Sequence, residues 1–331
     1  MKIHITNLYG AKGTHVLGQQ NVAKIARKLG FQEIALYCYP ADSDTQEELR
    51  KRIDGITSAL ENGDIVIFQS PSWNVTYYDK KLLEIIRVHK DVRIAIFICD
   101  VIPMMFEGTS EEDYSQTVEV YNMADLVIVP SEAMLRFLRK KGLKAEKLLI
   151  QSMWDLPFSE PLEIPKFSRQ LFFSGAPDRF RFLSSWNYDV VLALFTGENF
   201  ELNGQNIRLC GWKNTAELLA EYTKGGFGLI WEQSARSEYY KCNQPHKLST
   251  YLAAGIPVIM QKGLVHEQTV TEYGLGFVVG SLEEAADAVR NISEDEYYEL
   301  VDNIKNISFL IRGGFFTKKL LLDTVNYLLL D

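Results

Sequence analysis

Two basic side chains sit where an anion could be held. Lys247 is the second residue of HKLSTYLAA (246–254), in which Leu248, Tyr251 and Leu252 recur at helical spacing before Gly255 ends the run. A helix opening there presents unpaired N–H groups and the positive end of its dipole, and a lysine at that end opposes the dipole unless an anion lies in front of it. The apolar run 256–260 reads as a short buried strand with Pro257 near its start, where a missing N–H is tolerated. Loop, helix and buried strand in that order aim a helix N-terminus at the carboxyl edge of a sheet, and the ligand such a place suits is a phosphate. His246 either touches that phosphate or caps the turn. Arg179, in SGAPDRFRFL, lies just beyond a strand end and a glycine turn, a natural place for a second phosphate cation, with Gly175 letting the backbone approach. Arg181 is the alternative, and a surface salt bridge to Asp178 or Asp189 would account for either arginine.

The elements that must position these residues follow from the apolar pattern. Strand-length runs occur at 2–6, 33–39, 64–69, 92–98, 125–130 and 147–151, separated by helices such as NVAKIARKLG, ended by Gly30. Runs apolar on both faces and separated by helices mean a parallel sheet covered on both sides, so residues 1–152 are expected to form a Rossmann-like α/β domain. MWDLPFSEPLEIPKFSRQ then carries three prolines and no periodicity and reads as a linker, 153–168. Strand runs restart at 170–175, 190–195, 207–211, 226–232, 257–261 and 276–280, giving a second Rossmann-like domain, 169–314, and a closing helix, 315–331, expected to pack back on the first. Two such domains facing a central cleft would place two rows of strand ends around one ligand.

Composition narrows the classes. The chain has 331 residues, enough for two domains of about 150 residues each. With 47% hydrophobic and 24% charged residues it is an ordinary globular sequence, and a net charge of -8 argues against nucleic acid or an anionic bilayer as the main partner. No run of 18 apolar residues is present, and MKIHITNLYG shows no basic region leading into an apolar stretch, so a cytoplasmic protein without a membrane span is expected. Its four cysteines are far apart, lack zinc spacing and read as reduced thiols.

The pattern N-x-P-H-K-L-x-x-Y-L-A-A-G-I-P-V-I, starting at Asn243, resembles the donor-binding segment of GT-B glycosyltransferases. LFFSGAPDRFRFL, GFGLIWE and RGGFFTKKLLLDTVNYL extend the resemblance over most of the second half, and the whole is similar to the glucosyltransferases that extend GlcNAc on serine-rich repeat adhesins of streptococci. The resemblance implies a UDP-glucose donor, a glycoprotein acceptor already bearing GlcNAc, retention of configuration, cytoplasmic action before export, and a homo-oligomer such as a tetramer. It gives Lys247 and the amides of Leu248 and Ser249 the donor diphosphate, a task that free helix N–H groups and a positioned cation suit, since both stabilise a leaving anion. Asn243 could bond to the diphosphate or the sugar, and Gly211 could let a uracil ring lie against backbone or serve packing alone. Many retaining GT-B enzymes carry two glutamates eight positions apart; counted back from Gly255, those positions are Cys242 and Thr250. Ribose recognition must then differ, through the Thr250 hydroxyl, with Glu232 a neighbouring acceptor.

The first half should hold the acceptor. In NLYGAKGTHVLG, Thr14 and Val16 are expected to face the donor, and His15 either meets the acceptor or caps the helix. Asp100, at the end of the fourth strand, is a candidate for catalysis and acceptor binding, although no secure general base is visible. Met104, Met105 and Phe106 beyond it form an adaptable apolar loop suited to a protein acceptor. Trp73 could stack on a sugar or be a half-buried core residue. The motif DSD, 42–44, imitates a metal-binding Asp-x-Asp, but TQEE follows it as a capping box, so no metal and no tightly bound cofactor are expected. The rival readings are another UDP-sugar transferase or epimerase on this fold, and a non-catalytic partner of a transferase.

Overall fold

The computed structural model describes residues 1–11, 13–199, 201–202, 204–233 and 237–330, the side chains of Thr14 and Ser237 excepted. All the expected strands form, in two six-stranded sheets whose neighbouring strands run parallel. The first contains β1 (Ile3–Tyr9), β2 (Gln32–Tyr37), β3 (Ile65–Ser70), β4 (Arg93–Ile98), β5 (Leu126–Val129) and β6 (Lys147–Ile150), in the order β2-β1-β3-β4-β5-β6. The second contains β7 (Gln170–Ser174), β8 (Val191–Phe195), β9 (Ile207–Leu209), β10 (Phe227–Ile230), β11 (Val258–Gln261) and β12 (Gly276–Val279), in the order β12-β11-β10-β7-β8-β9. β3 and β5 are buried at every position, as runs apolar on both faces must be when helices cover both sides.

Strand order fixes where ligands can sit. In the first sheet the chain leaves β1 to one side for β2 and returns to its other side for β3; in the second it leaves β7 for β8 and returns for β10. At each reversal the connections after two adjacent strands diverge to opposite faces and open a crevice at the carboxyl ends, the usual ligand site of open α/β sheets. The crevices lie between β1 and β3 in one unit and between β7 and β10 in the other.

One compact unit comprises Met1–Trp154 with Gly314–Asp331, the other Asp155–Gly313. The closing helix, Phe315–Leu329, belongs to the first because Leu320, Leu321 and Leu328 enter a core with Ile5, Val22, Phe97 and Trp154. Trp154 stacks on Phe97 at 5.8 Å between centroids. Residues after it are tied into the second unit: Leu156 N–H donates to the Ile311 carbonyl at 3.2 Å, and the Arg312 side chain donates to the Phe158 carbonyl at 3.2 Å. The core of the second unit gathers Phe173, Phe180, Phe182, Trp186, Leu229 and Tyr297. Among the described residues no helix is long and apolar enough to cross a membrane.

Candidate functional site

The helix His246–Ala254 follows β10 and precedes β11, so its N-terminus lies at the carboxyl end of the second sheet beside the β7–β10 crevice. It is seated by Tyr251, whose hydroxyl donates to the Phe172 carbonyl at 3.0 Å. Its ring occupies the space above Gly228, where a Cβ would stand 2.1 Å away, so β10 must be bare at that point. Gly255 ends the helix in the left-handed conformation at φ 82, and its N–H returns to the Leu252 carbonyl at 3.0 Å.

At the other end, Lys247 lays its ammonium over the rings of Phe180, 4.3 Å from the centroid, and Phe173, at 4.9 Å. The residue as a whole is half-buried. Burial pushes the lysine down to about 8, the Arg179 charge pushes the same way, and Glu232 opposes both. A cation kept in so costly a place, with another cation beside it, is poised for an anion. Arg179 is exposed, stacks over the Phe180 and Tyr240 rings, and donates from its guanidinium to the Tyr240 hydroxyl. Gly175 has a different task from the expected one: a Cβ there would stand 2.6 Å from the Phe180 ring, so the glycine makes room for the aromatic wall beneath Lys247.

Several residues stand differently from the sequence reading. The Leu248 amide donates to the Pro245 carbonyl at 3.1 Å, because the chain enters the helix through a tight turn, so this amide is engaged within the protein. The Ser249 hydroxyl is buried and meets no partner among the described residues. Thr250 donates its hydroxyl hydrogen to the His246 carbonyl at 3.0 Å, within its own helix. Asn243 is buried and donates its side-chain amide to the Tyr239 hydroxyl. Glu232 is buried at the end of β10, its N–H donating to the Gln261 side chain at 2.9 Å. Gly211 has φ 69 and open space around its missing Cβ, so its backbone turn calls for glycine.

The first sheet's crevice brings together the loops after β1 and β3. His15 packs on Trp73 with ring centroids 4.1 Å apart, and burial holds its pKa below the usual histidine value. Among the described residues no side chain caps the helix Thr14–Lys28, so His15 is a stacking rather than a capping residue. The Thr14 side chain lies outside the described residues, and the Val16 side chain is buried in the core at 5% exposure, which leaves its backbone to face a ligand. Asp100 lies half-buried after β4, lining a pocket with Ser70, Asn74, Asp79 and Tyr121. The expected acceptor loop divides: Met104 is buried, Met105 half-buried and Phe106 51% exposed. Near DSD, Thr45 caps the helix Gln46–Thr57 in a capping box with Glu48, and Asp44 is taken by the Tyr39 hydroxyl at 2.6 Å and Arg52 at 2.9 Å.

Phe173, Phe180, Tyr240 and Tyr239 were not among the residues the sequence singled out. FFSGAPDRF carried a signal for two of them, since aromatic residues on both sides of a glycine turn can wall a site from both strands of the turn. The Tyr240 contact has no local signal, being made 61 positions from Arg179.

Residues 2–153 match the glucosyltransferase 3-like N-terminal domain, and residues 171–324 match the glucosyltransferase 3-like C-terminal domain, a match that runs into the helix packed on the first unit. The chain is 42% identical over 331 residues to Glucosyltransferase 3 of Streptococcus gordonii, with 98% of each chain covered. It is 40% identical over 327 residues to Glucosyltransferase 3 of Streptococcus parasanguinis, again with 98% of each covered. Among solved structures it is similar to sucrose-phosphate synthase from Thermosynechococcus elongatus, with a TM-score of 0.67 at 12% identity over 98% of each chain. An α-glucosyltransferase solved with UDP and DNA gives 0.65 at 15% identity, covering 98% of this chain and 99% of that one. Likeness at such identities speaks to fold, and the fold is the one expected from the sequence: two Rossmann-like α/β domains of the GT-B type.

Proposed function

The chain belongs to the glucosyltransferase 3-like family and is a glucosyltransferase, and from that premise we propose that it transfers glucose from UDP-glucose to GlcNAc on a serine-rich glycoprotein adhesin, with retention of configuration. The observation that carries the donor half of this reading is the pair Lys247 and Arg179 at the β7–β10 crevice, one over Phe173 and Phe180 and the other over Tyr240. As the bond from the sugar to the diphosphate breaks, negative charge grows on the leaving oxygen. The two cations and the start of the helix His246–Ala254 stabilise that charge more than they stabilise the intact donor. A lysine titrating near 8 can also share its proton with that oxygen at neutral pH. No divalent ion is needed in this scheme, because its role as counter-charge is filled.

The acceptor sugar is assigned to the first domain, against Trp73 and His15 and near Asp100, with Phe106 meeting the protein part. Retention fits a front-face reaction in which the leaving diphosphate takes the acceptor proton. The near full-length likeness to the two streptococcal glucosyltransferases supports the transfer of glucose, and the acceptor class rests on the motif resemblance. Cytoplasmic action on the unexported glycoprotein and a homo-oligomeric assembly complete the proposal. The test is a panel of UDP-sugars offered with a GlcNAc-bearing serine-rich peptide, followed by mass spectrometry and proton NMR of the product. One hexose added from UDP-glucose with an α linkage is expected. Addition from a different UDP-sugar, or release of an epimerised nucleotide sugar, overturns it.

A further inference from the structure

Beside the β1–β3 crevice lies a buried acid that the reaction as described does not use. Asp79 stands in the first turn of the helix Thr76–Ile86, and its carboxylate accepts from the Ser72 hydroxyl and, at 3.4 Å, from the Ser72 N–H. Burial pushes the acid up to about 7, a cost that the two Ser72 donors only partly offset. The Ser72 hydroxyl in turn accepts from the Asn74 N–H at 3.3 Å. Asn74 clasps the end of β2, accepting from the Tyr39 N–H at 2.9 Å and donating to the Tyr37 carbonyl at 3.4 Å. Between Ser72 and Asn74 sits Trp73, with φ 59, a left-handed conformation that bulky residues avoid. Its carbonyl accepts from the Cys38 thiol at 3.4 Å, and its buried indole N–H meets no acceptor among the described residues. The left-handed backbone of Trp73 is itself unfavourable, and the hydrogen bonds of Ser72, Asp79, Asn74 and Cys38 hold the segment around it. Strain held by its surroundings is commonly found where a side chain is presented to a ligand.

We propose that Asp79, acting through Ser72, is a positioning residue that locks Trp73 in its left-handed conformation against His15 and so sets the indole for the acceptor sugar. This rests on the reading that Trp73 meets the acceptor, and the experiment separates the two. Acceptor KM, kcat and the UDP dissociation constant are measured for Ser72→Ala, Trp73→Ala and the double variant, with Asp79→Asn and Asp79→Leu alongside. Trp73→Ala and Ser72→Ala should each raise acceptor KM by about threefold to thirtyfold, with no further rise in the double variant, because coupled residues are not additive. UDP affinity should stay within about twofold throughout. Asp79→Asn keeps an oxygen for the Ser72 hydroxyl but turns an NH2 toward the Ser72 N–H, so its acceptor KM should fall between wild type and Asp79→Leu, which should match Ser72→Ala. Should Asp79→Leu fail to fold, Asp79→Asn takes its place: its rise in acceptor KM must vanish in the Trp73→Ala background, and a rise that persists there overturns the role of Asp79. A Ser72→Ala effect that persists in full in the Trp73→Ala background, or is missing where Trp73→Ala has one, overturns the positioning role. An unchanged KM in Trp73→Ala itself overturns the acceptor reading of Trp73, and the proposal with it.

Discussion

Replacing Lys247 by methionine removes the charge and keeps most of the volume that covers Phe173 and Phe180. Two opposing terms decide what this does to the empty protein. Lost cation–π contact with the two rings costs about 0.5–2 kcal/mol. Against it stand burial and, after it, the Arg179 charge, which against the opposing Glu232 charge lower the lysine from 10.5 to about 8, about 3 kcal/mol working against the charged form. The melting temperature without ligand should therefore hold or rise. With ligand the sign reverses: a charge-assisted bond to phosphate is lost, about 1.5–3 kcal/mol, so UDP should bind about tenfold to a hundredfold more weakly. Arg179→Ala should act in the same direction at the low end of that range, because its guanidinium exchanges the Tyr240 hydroxyl for phosphate. Calorimetric titration with UDP at pH 7, with a thermal melt of each empty variant, reads both terms. UDP affinities within about twofold of wild type in both variants would refute the clamp. A large drop in the melting temperature of Lys247→Met would refute the desolvation account.

Three further outcomes follow from the same geometry. Because the empty protein holds Lys247 near 8 and a diphosphate favours its charged form, UDP binding at pH 8 should take up about half a proton, and affinity should fall as pH rises through that value; calorimetry in buffers of different ionisation enthalpy checks this, and no uptake would count against it. Transfer activity should persist in excess EDTA, and complete loss restored by manganese would return the DSD motif to consideration. Phe106→Ser should raise acceptor KM with an unchanged melting temperature, whereas Met104→Ala should cost about 2–5 kcal/mol of stability by opening a cavity; normal acceptor kinetics in Phe106→Ser would remove that side chain from the acceptor site.

Strands were legible because their two-sided apolar runs have no other home than a covered parallel sheet, and the caps at Thr45 and Gly255 were legible because their chemistry is local. Strand order was not. It depends on pairings such as Ile3 opposite Ile65, which no local pattern records, and so the crevices that collect Lys247 with Arg179 and His15 with Trp73 emerge only from the fold. Lys247 was found by its conflict with the helix dipole, but its aromatic bed comes from residues more than sixty positions earlier. The burial of Val16 and Met104 has no local signal, for one reason. A residue near a loop is exposed or buried according to which face of its helix meets the sheet, and a single turn of sequence does not fix that face. Asp79 in YYDKKLL reads as an ordinary first-turn acid, since nothing nearby shows that Ser72 will be folded against it.

In the proposed reaction the Lys247 and Arg179 clamp releases UDP from UDP-glucose as the sugar passes to GlcNAc. Its most direct test is intact mass spectrometry of a GlcNAc-bearing serine-rich peptide incubated with UDP-glucose and either the wild-type protein or the Lys247→Met, Arg179→Ala double variant. One hexose per GlcNAc with the wild type, and a rate lower by about a hundredfold or more with the folded double variant, is the predicted result. No hexose with the wild type, or equal rates with both, would contradict it.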